Sequence, residues 1–269
     1  MDPRKISELH QLFSALGIQP KKSLSQNFFI EKNTLEKLVS FANIQEGESV
    51  LEIGPGLGAI TLTLLEKGAK VIAVELDRKL ALFLKESIST PNFTLIEGDF
   101  LTTPLTSLPS PMKLIANIPF QITSPILNYL SQHRTLFSLI HLVVQKDLAV
   151  RMIAQKGSGQ NGPFSIFCQY YFTVKILSTI SPNNFYPKPS IESAYIELIP
   201  KQSIPFENGD PFFDFVHSLF HKKRKMIRSS ISHPDLDLIL SKRGLNSTMR
   251  PGELSLDDFI YIFKHLKKA

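Results

Sequence analysis

Asn117-Ile118-Pro119-Phe120 is the stretch of this chain whose residue types and spacing suit one specific chemistry. The exocyclic amine of adenine is a weak nucleophile, because its lone pair is delocalised into the ring. Two fixed hydrogen-bond acceptors pull that lone pair back toward nitrogen; Asn117 offers a side-chain oxygen and Ile118 a backbone carbonyl. Pro119 stiffens the turn, and Phe120 presents a ring face on which a base can stack. Alone, such a tetrapeptide is usually just a strand-ending turn. Its meaning depends on the elements that position it.

The first of these is a glycine-rich loop, Gly54-Pro55-Gly56-Leu57-Gly58, which follows one strand-like run and precedes a helical one. Glycines there let the backbone approach a ligand with no Cβ in the way. The spacing is G-x-G-x-G rather than the dinucleotide pattern, and Pro55 removes an amide donor that a pyrophosphate cradle would use, so S-adenosylmethionine is a better fit than a nicotinamide dinucleotide. Glu75, at the end of the next strand, can accept hydrogen bonds from both ribose hydroxyls. Asp99, in Glu97-Gly98-Asp99-Phe100, can reach the cofactor's adenine amine. Each acid alone reads equally as a strand-end carboxylate. Their order along the chain with the loop and Asn117 is what favours a shared site.

Strand candidates run over Ser49–Ile53, Lys70–Leu76, Phe93–Glu97, Met112–Asn117 and Leu139–Gln145, with helical spacing over Ala59–Glu66 and Arg78–Ser87 and Asp77 as an N-cap. This alternation specifies an α/β, Rossmann-like sheet with helices on both faces. Lys175–Pro182 and Ser193–Pro200 read as two edge strands, possible antiparallel partners, and Gly157–Gly162 as a mobile loop. Ile6–Leu16 and a segment starting near Asn33 read as helices, flanking the basic-to-aromatic stretch Lys21–Phe29. After a linker at Lys201–Gly209, helical patterns at Pro211–His221, Lys223–Ser232, Asp235–Ser241 and Ser255–Lys267 suggest a small all-α domain. The expected division is residues 1–203 for the catalytic domain and 204–269 for the helical one.

Composition narrows the function classes. The chain has 269 residues, 43% of them apolar, enough for a well-buried core. A net charge of +6 and a pI near 9.3 favour a polyanionic partner, nucleic acid first. One cysteine, Cys168, excludes an internal disulfide, and the seven histidines lack zinc-site spacing, so no metal is expected. No segment approaches the roughly 20 apolar residues of a membrane helix, which points to a cytoplasmic protein with no membrane partner.

At this level the sequence resembles the KsgA-type ribosomal RNA adenine dimethyltransferases over almost its whole length. Lys22-Ser23-Leu24-Ser25-Gln26-Asn27-Phe28 is similar to that family's cofactor-covering motif, Glu52–Gly58 to its glycine loop, and Asn117–Phe120 to its catalytic Asn-Leu-Pro-Tyr. Phe185-Tyr186-Pro187-Lys188-Pro189 resembles the Phe-x-Pro-x-Pro motif that supplies a second stacking aromatic. The resemblance implies a cofactor site lined by Asn27, Phe29, Gly54, Gly56, Glu75, Asp99 and Asn117, with Asn117, Ile118, Pro119, Phe120 and Phe185 around the target base. It also implies S-adenosylmethionine as methyl donor, S-adenosylhomocysteine as product, and a monomer acting on small-subunit rRNA in an assembling subunit. Two adjacent adenosines near the rRNA 3′ end would each be methylated twice.

The erythromycin-resistance methylases, which modify large-subunit rRNA, share these motifs; Ser25 and Ile118 lean toward them. His221-Lys222-Lys223-Arg224-Lys225-Met226-Ile227-Arg228, Arg250–Ser255 and Gln169-Tyr170-Tyr171 lean toward the KsgA type. A non-catalytic nucleic-acid-binding relative is a third reading, opposed by the intact Glu75, Asp99 and Asn117. Lys222, Lys223, Arg224, Lys225 and Arg228 on an expected helix, with Lys21 and Lys22 near the site, are the candidate phosphate contacts; the alternative is a solvated helix face. Phe120 stands where the family usually has tyrosine, which keeps the stacking face and loses the hydroxyl.

Overall fold

The computed structural model describes residues 1–21 and 26–266. The chain falls into two compact units: Met1–Lys146 with Lys175–Pro200, and Asp147–Val174 with Lys201–Ala269.

The first unit begins with α1 (Ile6–Leu16), the two-residue strand β1 (Phe28–Phe29) and α2 (Lys32–Phe41). The alternating core follows: β2 (Ser49–Ile53), α3 (Ala59–Glu66), β3 (Lys70–Glu75), α4 (Arg78–Ser87), β4 (Phe93–Glu97), β5 (Met112–Asn117), α5 (Thr123–Gln132) and β6 (Phe137–Gln145). Asp77 caps α4 as expected, accepting from the Lys79 N–H at 3.0 Å. After α6 (Lys146–Met152) and α7 (Pro163–Tyr171) come β7 (Phe172–Ile180), β8 (Phe185–Tyr186) and β9 (Ser193–Pro200).

Seven strands form one sheet in the order β4-β3-β2-β5-β6-β9-β7. Strands β2 to β6 pair in parallel, and β9 runs antiparallel to β6. The two late strands do lie together at the sheet edge, with β9 inserted between β6 and β7. Residues of both parities are buried along the central strands: Leu114, Ile115 and Ala116 of β5, and Ile140, Leu142, Val143 and Val144 of β6. Such two-sided burial is why these strands read as continuous apolar runs rather than alternating ones. On one face Val50, Val71, Ile115, Val143 and Tyr195 pack with Leu35, Leu38 and Val39 of α2 and Ile60 and Leu64 of α3. Strand order reverses between β2 and β5, and open parallel sheets bind ligands at the strand C-termini beside such a reversal.

In the second unit α8 (Asp210–His221), α9 (Leu236–Ser241) and α10 (Leu256–Leu266) share a core with α7: Ile166 and Tyr170 pack with Phe212, Val216, Leu219, Phe259 and Ile262. Residues 147–174 therefore group with the C-terminal helices, whereas the sequence reading placed them before a boundary at 203. The Gly157–Gly162 loop, expected to be mobile, is tied down. The Gly157 N–H donates to the Gly252 carbonyl, and buried Asn161 donates to the carbonyls of Gly252 and Leu254.

The expected helix at Lys223–Ser232 does not form. Lys222, Lys223 and Lys225 donate backbone bonds only three residues back, a short 3-10 turn covers Ile227–Ser229, and the Ile227 and Arg228 N–H groups go to the carbonyls of Met249 and Ser247. Non-local backbone partners have replaced the bonds to residue i−4 that a helix requires.

Candidate active site

One cavity opens at the C-terminal ends of β2, β3 and β5, and its walls bring together most residues singled out in the sequence. Asn27, Phe29, Gly54, Gly56, Glu75, Asp99, Asn117, Ile118, Pro119, Phe120 and Phe185 all line it.

The glycine loop and Glu75 form one hydrogen-bonded unit. Gly56 donates its N–H to Glu75 Oε2 at 2.9 Å, and the Asp77 N–H donates to Oε1 at 2.8 Å. Gly56 has φ +63°, a conformation that favours glycine, and a Cβ there would crowd the Phe28 ring at 3.1 Å. Gly58 has φ +87°, and a Cβ would meet Leu84 at 2.9 Å. Burial raises the Glu75 pKa above the usual value, helped by the nearby Asp77 charge and opposed by the amides it accepts from. Each carboxylate oxygen keeps a lone pair for a ligand hydroxyl. Asp99 is exposed at the cavity rim and accepts the Leu101 N–H at 2.9 Å.

Asn117 ends β5 with its orientation fixed. Its Nδ2 donates to the Asn27 carbonyl at 2.8 Å, a contact only the nitrogen of the amide can make, so Oδ1 remains as an acceptor. The Ile118 side chain is buried, which anchors the peptide whose carbonyl is the second candidate acceptor. Phe120 is partly exposed, as a stacking face must be. Phe185 is only 3% exposed, its ring held 4.4 Å from that of Phe29, so it forms wall more than open face.

Two motifs far apart in the chain are joined by a pairing that periodicity could not reveal. Strands β1 and β8 form a two-stranded antiparallel ribbon, with Phe28 opposite Tyr186 and Phe29 opposite Phe185. Thr34 Oγ1 adds a 2.6 Å hydrogen bond to Asn184 Oδ1 across 150 residues. This ribbon holds Asn27 where its carbonyl meets Asn117. On the other side Phe28 and Tyr186 pack against Leu9, Phe13, Leu57 and Leu80, which links α1 to the glycine loop and α4.

Glu52, Leu76 and Ser193 also line the cavity and were not assigned roles from sequence. Glu52 is 1% exposed and accepts from Thr61 Oγ1 at 2.6 Å; burial, reinforced by the Glu75 charge, pushes its pKa up to about 8. Its place directly before the glycine loop was the available signal. Leu76 is 55% exposed at the cavity, an apolar surface beside the Glu75 carboxylate where a flat ring can pack.

The candidate phosphate contacts divide. Lys21 Nζ is paired with Asp77 at 2.5 Å, which occupies it structurally, and Lys22 lies outside the described residues. Lys222, Lys223, Arg224, Lys225 and Arg228 are all exposed, on turns rather than on the expected helix.

The cavity's donor set suits S-adenosylmethionine: a turn free of Cβ atoms at Gly54 and Gly56, a carboxylate at the ribose position and an exposed apolar side chain beside it. Comparison with known proteins agrees in family and fold. The chain is 38% identical over 275 residues to ribosomal RNA small subunit methyltransferase A of Protochlamydia amoebophila, covering 97% of this chain and 96% of that protein. A dimethyladenosine transferase from Plasmodium falciparum superposes with a TM-score of 0.77 at 26% identity, covering 88% of this chain and 96% of the other. The 23S rRNA methyltransferase ErmE shares the fold at a TM-score of 0.71 and 24% identity, covering 90% and 100%. The family described as ribosomal RNA adenine dimethylase matches residues 17–268, and with these relatives and this site the chain belongs to that family.

Proposed function

We propose that this protein uses S-adenosylmethionine to dimethylate N6 of two adjacent adenosines near the 3′ end of small-subunit (16S) rRNA, on an assembling subunit. The single observation that carries the reading is the Asn117 amide. With its nitrogen donating to the Asn27 carbonyl, its oxygen is the group left to accept from a target amine. The small-subunit relative named above supports the choice of RNA.

S-adenosylmethionine, when bound, would supply an activated methyl group to N6, with the thioether of S-adenosylhomocysteine as the leaving group. The protein's own part is positioning and electrostatics. Asn117 Oδ1 and the Ile118 carbonyl accept from the amine and localise its lone pair; after transfer the N6 proton passes to solvent. Phe120 stacks the base once it is flipped from its helix, with Phe185 as backing. Glu75 holds the cofactor ribose, and Asp99 at the rim takes its adenine amine. Lys222, Lys223, Arg224, Lys225 and Arg228 contact rRNA phosphates. Lys21 is committed to Asp77, so the C-terminal run carries most of this term.

The test offers unmethylated small subunits and, separately, unmethylated large-subunit rRNA with labelled cofactor, then maps dimethyladenosine by nuclease digestion and mass spectrometry. Label at adjacent adenosines of the small subunit is the expected result. Label confined to large-subunit RNA would overturn the substrate, and RNA binding without label in either would overturn the enzyme reading.

A further inference from the structure

Ser193 opens β9, facing Gln145 across the β6–β9 ladder. It is 0% exposed, and among the described residues its Oγ is the one buried side-chain polar atom with no hydrogen-bond partner. Buried hydroxyls are nearly always satisfied, so an orphan on a cavity wall indicates a partner that arrives with a ligand. Ser193 lines the same cavity as Asn117, Ile118 and Phe120.

Register shows which half of the cavity it serves. Val143 lies opposite both Asn117 of β5 and Tyr195 of β9, so these residues share a sheet face; Ser193, two positions from Tyr195, shares it too. The glycine loop, Glu75 and Asp99 follow β2, β3 and β4 on the other side of β5, whereas β9 lies two strands beyond β5 in the opposite direction. Ser193 therefore belongs to the target half.

Adenine sets the chemistry. Apart from its amine, its polar ring atoms N1, N3 and N7 are acceptors only. Asn117 Nδ2 gives one of its two N–H groups to Asn27, and Ile118, Pro119 and Phe120 carry no side-chain donor, so the catalytic motif has at most one side-chain N–H left for three ring acceptors. We propose that the Ser193 hydroxyl donates to a ring nitrogen of the target adenine and positions the base for both methyl transfers. The inference rests on the adenine reading above. Its weight grows at the second transfer: monomethylated N6 has one N–H left and can satisfy only one of the two amine acceptors, while a ring-nitrogen contact is unaffected.

The test compares full-length wild type, Ser193→Ala and Ser193→Thr on unmethylated small subunits, with cofactor affinity and melting temperature measured alongside. Removing an unpartnered hydroxyl should leave the free protein's melting temperature unchanged or raised and cofactor affinity unchanged. For Ser193→Ala, kcat/KM should fall about three- to tenfold, with monomethyladenosine accumulating; Ser193→Thr should restore the dimethylated product. Wild-type kcat/KM and product ratio in Ser193→Ala would overturn the proposal, as would a lower melting temperature or weaker cofactor binding. Should the wild type label only large-subunit RNA, the substrate reading fails separately, and the same comparison on that RNA decides the role of Ser193.

Discussion

Asn117 combines two jobs in one amide, and they can be separated by mutation. Its nitrogen locks the side chain to Asn27, and in the proposed mechanism its oxygen accepts from the target amine. Losing a preorganised electrostatic contact at a reacting centre typically costs about 10²- to 10³-fold. Asn117→Ala should therefore lower single-turnover methylation at saturating cofactor by about that factor. At Phe120 the stacking face matters more than the missing hydroxyl: Phe120→Tyr should stay active, and Phe120→Ala should lose about 1–3 kcal/mol of base positioning in kcat/KM. Glu52 carries a pH signature. Burial keeps its carboxyl protonated in the folded chain up to about pH 8, whereas the usual value is 4.5. Between those values the unfolded state has released a proton that the folded state retains, so this group lowers stability as pH rises and changes nothing further above pH 8. Urea unfolding across that window should show a shallower loss with pH in Glu52→Gln than in the wild type.

Among the elements, the β1–β8 ribbon is the part on which site geometry most depends. Phe29 is buried against Phe185 and next to the strand residues that position Asn27. Truncating a buried phenylalanine costs about 3–5 kcal/mol. Phe29→Ala should lower the melting temperature and, in the surviving folded protein, reduce kcat, since it loosens the Asn117 anchor. The ribbon also marks where the sequence stops being legible. Strands β2, β3 and β5 could be read because each is a largely buried apolar run, and β4, a half-exposed edge strand, from its aromatic and β-branched residues; Asn117, Glu75 and the glycines could be placed because they sit at strand ends. A two-residue strand has no periodicity to read, so the meeting of the Asn27 and Phe185 motifs was known only as two separate resemblances. At Lys223–Ser232 local sequence suggested a helix, but Ile227 and Arg228 found backbone partners at Met249 and Ser247, a non-local choice that propensity does not encode. Ser193 was hidden for a related reason: only packing reveals that its hydroxyl lacks a partner.

For the whole molecule, the net charge of +6 sets how it meets RNA. The exposed cations at Lys222, Lys223, Arg224, Lys225 and Arg228 project from turns, so they do not fall on one helical stripe and can follow an irregular phosphate path. Each phosphate contact contributes about 0.7–0.9 to the slope of log affinity against log salt. Replacing Lys223, Arg224, Lys225 and Arg228 by alanine should flatten that slope by roughly 3–4 for small-subunit binding, with methylation of saturating substrate largely retained. No helix among the described residues is long and apolar enough to cross a membrane.

The ribbon also orders events in time. Thr34 and its partner Asn184 are separated by 150 residues, and ribosomes add roughly 5–20 residues per second, so the second half of the clasp emerges on the order of 10 s after the first. Until then Asn27 has no clasp to hold its carbonyl toward Asn117, even when β2 to β5 have already emerged. In a nascent chain the glycine loop and Asn117 therefore leave the ribosome before the strand that completes the ribbon beside Asn27.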